Sequence, residues 1–320
     1  KTEKKKKAPK KIAISITLMA FIMELIMNKY KIEPYFNMKI SKNYHNFTLE
    51  KLLKEFHLAN AKIKYLIGNG NCYVNGEVAS SNTLLRTNDY LTIDISNFEH
   101  LDFQPEAVEI NILYEDEYLL VINKPSGYII YPDNRNATGT IANFIAGYYD
   151  KNNLDLTIRH CHRLDSATSG CLVFAKDLIT HSAMSYLFES KQVEKTYWTL
   201  VEGILPKEGK INFPIGKDRH VNGKMIVSNT GKPALTTYKP LTVFQNRTLL
   251  EVKIATGRTH QIRVHLATIG HPIINDTLYG SKTSGRVMLH CKSISFLHPI
   301  TKSKVYIEAP LPPDFKINCK

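Results

Sequence analysis

Apolar residues at 49, 52, 53 and 56, and again at 63, 66 and 67, follow the i, i+3, i+4, i+7 spacing of a helix face. Leu49, Leu52, Leu53 and Phe56, then Ile63, Leu66 and Ile67, therefore predict two amphipathic helices. Gly68-Asn69-Gly70 stops the second helix, and Cys72-Tyr73-Val74-Asn75-Gly76-Glu77 reads as a hairpin strand with its turn. Further along, the helical period gives way to short apolar runs. Tyr118 to Ile122 is a strand closed by Lys124-Pro125-Ser126-Gly127, because Pro and Gly interrupt ladders and make turns. Cys171 to Ala175 has the character of a buried strand, Met184, Leu187 and Phe188 mark a helix, and Thr196 to Val201 is rich in β-branched and aromatic residues. Leu249 to Ile254 and Lys304 to Ala309 add strands. Strands mixed with few regular helices predict an α+β class and not a doubly wound sheet.

These runs divide the chain into a small module over 46–96, a linker over 97–108 carrying Pro105 and several acidic residues, a main domain over 109–312 and a tail over 313–320. Residues 1–45 stand apart as a basic and apolar N-terminal extension. Lys4 to Lys7 and Lys10-Lys11 precede an apolar run from Ile12 to Met27 that is built like the first two regions of a signal peptide. No small-residue cleavage site follows it, and Glu24 interrupts it. The run is also short for a membrane span, so no membrane partner is expected. Two readings stay open: an upstream extension in front of a protein starting at Met27 or Met38, and a true basic tail or anchor.

Charge adds a partner class. The chain of 320 residues carries a formal net charge of +13, with an isoelectric point near 9.3. Residues 1–37 hold nine Lys and three Glu, so +6 of that charge is theirs and +7 belongs to the rest. A basic body points to a polyanion, since Lys and Arg neutralise phosphates and release counterions. The five cysteines at 72, 161, 171, 291 and 319 form an odd set with no C-x-x-C pair, which indicates neither a disulfide framework nor a zinc ribbon. A reducing cytoplasm fits that usage.

Candidate chemistry sits in four scattered segments. His162-Arg163-Leu164-Asp165-Ser166-Ala167-Thr168-Ser169-Gly170 wedges a carboxylate among basic residues ahead of a Thr-Ser-Gly turn. A guanidinium nearby favours the ionised carboxylate, so Asp165 is a candidate nucleophile or base. It is equally a candidate turn cap, accepting backbone N–H groups. Tyr197 in Lys195-Thr196-Tyr197-Trp198 shares a strand face with Thr199, and Trp198 takes the other, so only one of the two aromatics need be core. Tyr197 either packs, stacks on a base or exchanges a proton.

Thr256-Gly257-Arg258-Thr259-His260-Gln261-Ile262-Arg263-Val264-His265-Leu266 is the richest polar cluster. Helical spacing puts Ile262, Leu266 and Ile269 on one face and His260 with Arg263 on another. A metal site at His260, His265 and His271 lacks both the Glu of the zinc-binding helix pattern and an acidic ligand, so no metal is expected. Lys232 to Tyr238 is an extended segment after a glycine turn, with Gly270-His271-Pro272-Ile273 and Leu278-Tyr279-Gly280 beyond it. Cys161 between His160 and His162 reads as local packing, because neighbours in a strand face apart.

Two resemblances organise these segments. The helix, helix, Gly-x-Gly-x-x-x-Val-Asn-Gly order, followed by Leu91-Thr92-Ile93, resembles the alpha-L RNA-binding motif over about fifty residues. Ala59-Asn60-Ala61-Lys62 stands where that motif usually has Ser-Arg. From roughly Ile110 to Leu311 the chain resembles the RluA-type pseudouridine synthases: Ile112-Leu113-Tyr114-Glu115-Asp116-Glu117 and Asn123-Lys124-Pro125 match the opening. His162-Arg163-Leu164-Asp165 with Thr168-Ser169-Gly170 matches the catalytic motif, and Thr-Gly-Arg-Thr-His-Gln-Ile-Arg matches a later one. Tyr131-Pro132 departs from the usual His-Pro, at what should be an edge of the cleft.

The resemblance implies a catalytic domain built on a mixed, mainly antiparallel β-sheet behind a small alpha-L domain. It carries the catalytic aspartate onto Asp165, the base-contacting tyrosine onto Tyr197 and the arginine pairing with the aspartate onto Arg263. The arginine that helps displace the target base falls on Arg163. It implies an RNA partner, ribosomal RNA ahead of transfer RNA, a monomer and a cytoplasmic location. No cofactor is expected, since the reaction is an isomerisation and the chain has neither a Rossmann glycine fingerprint nor a P-loop. The rivals are a catalytically silent RNA-binding protein of ribosome assembly and a metal-dependent nuclease. The second lacks a further carboxylate in the Asp165 motif.

Overall fold

The computed structural model describes residues 34–132, 134 and 137–315. The stretch from Lys4 to Met27, Cys319 and most of the tail lie outside these residues.

The first helix begins where a side chain can receive its unpaired N–H groups: Thr48 Oγ1 accepts the Lys51 amide. Helices α1 (Leu49–Glu55) and α2 (Asn60–Gly68) bury Leu49, Leu52, Leu53, Ile63 and Leu66, as the spacing predicts. They accompany a four-stranded antiparallel sheet of β1 (Tyr35–Lys39), β2 (Cys72–Val74), β3 (Glu77–Val78) and β4 (Tyr90–Asp94), in the order β1-β4-β2-β3. Asn75 and Gly76 both have positive φ, 53° and 86°, the mirror-turn geometry that suits a twisted hairpin. Strand β1 corrects the boundary drawn at residue 46: Phe36 and Met38 are buried opposite Ile93 and Leu91, so the chain from residue 34 belongs to this sheet. Its partner strand lies about fifty residues on, beyond the reach of a local pattern.

The main sheet follows the path β10-β13-β14-β9-β15-β8-β6-β5, with β7 beside β8 and β16 beside β15. Its strands are β5 (Ile112–Glu115), β6 (Leu119–Lys124), β7 (Arg159–His160), β8 (Ser169–Ala175), β9 (Glu194–Glu202), β10 (Gly209–Ile211), β13 (Thr236–Phe244), β14 (Arg247–Ile254), β15 (Leu289–Leu297) and β16 (Lys304–Glu308). A separate hairpin joins β11 (Ile215–Lys217) to β12 (Met225–Val227). Only β8 and β15 run parallel, so the sheet is mixed and mainly antiparallel, as expected.

Helices α3 (Ile141–Lys151), α4 (Leu178–Glu189) and α5 (Gln261–Thr268) complete the fold. All seven residues of β8 are buried, which covers both of its faces. Gly170 permits this closeness: a Cβ there would lie 2.2 Å from the Cys291 carbonyl oxygen, at a φ of +109° that favours glycine.

Helix α4 joins the two cores. Leu178, Ile179 and Ala183 pack with the small module, whereas Met184 packs with the main sheet. His57 stacks on Tyr186 with ring centroids 3.4 Å apart, and Tyr118 Oη donates to the Asn37 carbonyl at 2.7 Å. The segment read as a linker is pinned to the body through Glu99, which is buried. Its carboxylate is ion-paired with Arg159 and accepts the Thr157 and Leu178 amides at 3.1 and 3.2 Å. The acidic residues of this stretch are anchors, which composition alone does not distinguish from a solvated linker.

Two outcomes follow. Glu99→Ala strands the Arg159 guanidinium and should cost about 3–5 kcal/mol in urea unfolding. Gly170→Ala forces β8 away from β15 and should yield little folded protein, read from soluble yield and the thermal melt.

Candidate active site

The scattered polar segments meet in one open cleft lined by Arg163, Asp165, Thr168, Lys195, Tyr197 and residues 257–263, with Leu289 beneath. Three neighbouring strands bring them together. Cys291 on β15 is opposite Gly170 of β8 on one side and opposite Tyr197 of β9 on the other. That register places Tyr197 beside the turn that leads into β8.

The turn itself is held from below. The Thr168 amide donates to the Asp165 carbonyl at 3.0 Å, so the main chain of Asp165 closes the turn. Its carboxylate lines the cleft, with its side chain 26% exposed. Lys124, the last residue of β6, is wholly buried and donates its three N–H groups to the carbonyls of Pro125, Ser166 and Thr168 at 2.9, 3.1 and 2.9 Å. Ser126 Oγ donates to Ala167 O at 2.8 Å, and the Gly127 amide donates to Ser166 O at 2.8 Å. Asn123-Lys124-Pro125 was read only as the end of a strand and a family signature. A buried ammonium needs acceptors, but no local signal says that they belong to residues forty positions away.

Across the cleft, Asp165 Oδ2 meets Arg263 Nη1 at 3.8 Å and His260 Nε2 at 3.9 Å. Arg263 is 6% exposed and forms a two-pronged pair with buried Asp276, Nε to Oδ2 at 2.7 Å and Nη2 to Oδ1 at 2.8 Å. His260 Nδ1 lies 2.8 Å from Tyr279 Oη. Burial lowers the His260 imidazole below its ordinary range, with Asp165 pulling the other way.

The expected pairing of His260 and Arg263 on one helix face holds in effect, though not in form. His260 precedes α5 in the left-handed conformation, at a φ of 55°. Gln261 to Leu266 are all buried, so α5 is enclosed and not amphipathic. The Gln261 side chain accepts from Thr256 Oγ1 and the Arg258 amide at 2.7 and 3.1 Å and donates to Leu235 O at 2.9 Å, fixing the approach to the helix. This contact gives the Lys232–Tyr238 segment its part in the site.

Tyr197 is 5% exposed, and burial, then Cys291 and Asp165, raises its phenol well above the ordinary range. It stays protonated, so of the roles open to it a ring contact with a neutral hydroxyl fits and a proton acceptor does not. Arg163 is exposed on the rim. Burial lowers the Lys195 ammonium, which also lines the cleft and which the sequence reading passed over. Asp165 is the one carboxylate among the described lining residues, which also include Arg163, Lys195, Arg258 and Arg263. That charge balance suits an anionic ligand.

Other candidates lie elsewhere. His265 is held by Thr236 Oγ1 and Phe213 O, and His271 by Glu202 O, so the three histidines considered as metal ligands face different partners. Among the described residues no group of three or more His, Cys, Asp or Glu is placed to hold a metal ion. Cys161 donates its amide to Val173 O, and His162 stacks on Phe188 with ring centroids 4.9 Å apart. Tyr131 stacks on Phe103 and donates to Ile158 O at 2.7 Å, so it packs away from the cleft edge assigned to it. Asp276 was missed because a lone Asp ahead of Thr-Leu-Tyr-Gly gives only a turn signal.

Comparison with known proteins gives one consistent family. The family model described as RNA pseudouridylate synthase matches residues 118–268. An RNA pseudouridine synthase of Bacillus subtilis is 41% identical over 252 residues, 77% of this chain and 83% of that protein. A ribosomal large subunit pseudouridine synthase D of Neisseria meningitidis is 33% identical, covering 83% of this chain and 75% of its own. Among solved structures, the human RNA pseudouridylate synthase domain containing 4 aligns with a TM-score of 0.55 at 26% identity, covering 64% of this chain and 90% of that one.

The three carbonyls at Lys124 set a pH-dependent outcome. Burial lowers this ammonium to about 8, with Asp165 opposing, and above that pH a neutral amine has two N–H groups for three acceptors. The unfolded chain keeps the proton to higher pH, so from this group alone the folded state gains stability as pH rises through this window. An opening that wets Lys124 is disfavoured in the same way, so protection of the Thr168 amide beyond its intrinsic exchange rate should hold or rise as pH passes about 8, and should be lost throughout the pH range in Lys124→Met.

Proposed function

Since this chain belongs to the RNA pseudouridine synthases of the RluA type, we propose that it isomerises specific uridines of large-subunit ribosomal RNA, with Asp165 as the catalytic carboxylate. The observation that carries the role of Asp165 is its turn: the carbonyls of Asp165, Ser166 and Thr168 are engaged by the Thr168 amide and Lys124, and the carboxylate lines a cationic cleft with Arg263 at 3.8 Å. The ribosomal target rests on relatives such as the Neisseria protein. A basic chain with four free cysteines among its described residues suits a polyanion in a reducing cytoplasm. Among those residues no helix is long and apolar enough to cross a membrane.

The reaction breaks the bond from uracil N1 to ribose C1′, turns the base and joins C5 to C1′. C5 loses a proton and N1 gains one, so the product is an isomer and no redox equivalent or cofactor is consumed. Asp165 either attacks the sugar or removes a ribose proton, and both routes need the carboxylate ionised. The positive charge of Arg263 is placed to favour that form. A stacked base cannot reach the cleft, so the nucleotide leaves its helix at a cost of about a few kcal/mol. Arg163, exposed on the rim, fills the vacated space, and the Tyr197 ring receives the extruded uracil. Surface Lys and Arg hold phosphates and position the RNA without reading its sequence.

The test is pseudouridine mapping on large-subunit ribosomal RNA transcribed in vitro. Asp165→Asn should lose about a thousandfold or more in rate while binding RNA within about threefold of wild type. Equal activity of the two proteins defeats the assignment of Asp165. Modification of transfer RNA alone moves the target and leaves the chemistry in place.

A further inference from the structure

One cation of the cleft, Lys195, is half-buried and has no partner of its own. It stands two residues before Tyr197 on β9, so strand alternation puts both side chains on the cleft face, about 7 Å apart along the strand. The other cations have acceptors or lie in water: Arg258 Nε donates to Pro233 O at 3.0 Å, Arg263 is bound to Asp276, and Arg163 is exposed on the rim. Around Lys195 Nζ stand the Phe188 ring, its centroid at 5.5 Å, and the buried His162 imidazole stacked on that ring. Among the described residues no hydrogen bond or ion pair receives this ammonium. Asp165 acts on the Tyr197 phenol, whereas only Cys291 offsets the burial of Lys195, which orders the cleft as Asp165, Tyr197, Lys195. A partly desolvated ammonium is costly to hold without an acceptor, and the open side of this one is the cleft.

With ribose C1′ at Asp165 and the uracil ring on Tyr197, the base edge that reaches Lys195 is the one farthest from the sugar, which carries O4. By either route open to Asp165, breaking N1–C1′ leaves the electron pair on uracil as an anion shared by N1, O2 and O4. The turn that brings C5 to C1′ runs about the axis through N3 and C6, and it exchanges O4 with O2. An ammonium at the far edge therefore meets a carbonyl oxygen before cleavage and again after the turn, and a charged donor there stabilises the free anion. Cytosine carries an amino group at C4, so it would set a donor against a donor. We infer that Lys195 is a uracil-binding residue, donating to O4 of the substrate and to O2 of the product and refusing cytidine. This rests on the reading of Asp165 as the carboxylate that acts at the sugar.

The experiment uses full-length wild type, Lys195→Met, Lys195→Arg and Asp165→Asn on a synthetic RNA spanning the site that the mapping finds, with uridine or 4-thiouridine at the target. It reads the single-turnover rate and RNA affinity, and the thermal melt reports folding. Sulfur accepts a hydrogen bond more weakly than oxygen, so 4-thiouridine should slow wild type about tenfold. Lys195→Met should slow the uridine reaction about a hundredfold with RNA affinity within about threefold, and its penalty for sulfur should shrink below about twofold. If Lys195→Met does not fold, Lys195→Arg decides: it keeps the charge but moves the donor, and should slow uridine about tenfold with a sulfur penalty below about threefold. A uridine rate within about threefold of wild type in the deciding variant, a sulfur penalty as large as wild type's, or a rate loss matched by lost RNA affinity overturns the inference. The last result would put the ammonium on a phosphate. An active Asp165→Asn would instead defeat the reading beneath, so the two failures are distinguishable.

Discussion

The contact of two backbones at Gly170 and Cys291 is the constraint on which the site rests. It lets β8 and β15 run side by side as the one parallel pair in a sheet that is otherwise antiparallel. Cys291 then faces Gly170 on one edge and Tyr197 on the other, so the residue that ends the Asp165 turn and the aromatic of the cleft are two strands apart. A glycine is required there for two reasons at once. Its φ is positive, and a Cβ would collide with a carbonyl oxygen.

Around that frame the site is built from buried charge. Lys124 and Arg263 are both removed from water, a costly state unless acceptors meet their donors. Lys124 spends its ammonium on three carbonyls, which fixes the path of the Asp165 turn. Arg263 spends most of its fork on Asp276. Lys124 is satisfied by main-chain carbonyls and Arg263 by Asp276, and the Asp165 carboxylate is left with a positive field in front of it. Burial lowers the His260 imidazole below its ordinary range, and Asp165 opposes that shift.

The small module is attached to this body through packing and not through a loose tether. Helix α4 places residues in both cores, and Glu99 draws the intervening segment onto Arg159 and the start of α4. The module is therefore held in a defined orientation to the main sheet. Its two helices carry Lys51, Lys54, Lys62 and Lys64, with Lys54 paired to Glu50 at 2.6 Å.

Local periodicity determined the two helices of the module, their glycine stop and most strands of the body, because those elements are written in the spacing of neighbours. The Asp165, Tyr197 and Arg263 motifs were also legible as a family resemblance, and the comparisons place the chain in that family. Strand β1 was not legible, since its pairing is fifty residues distant, and neither were the anchoring role of Glu99 or the enclosure of α5. On Asp165 itself, local physics left cap and catalyst balanced. Only the tertiary structure showed that the Asp165 carbonyl closes the turn and that its carboxylate lines the cleft with Arg263 at 3.8 Å. The reason is general to buried charge: a sequence states that a cation must find partners, and the fold alone decides which carbonyl or carboxylate they are.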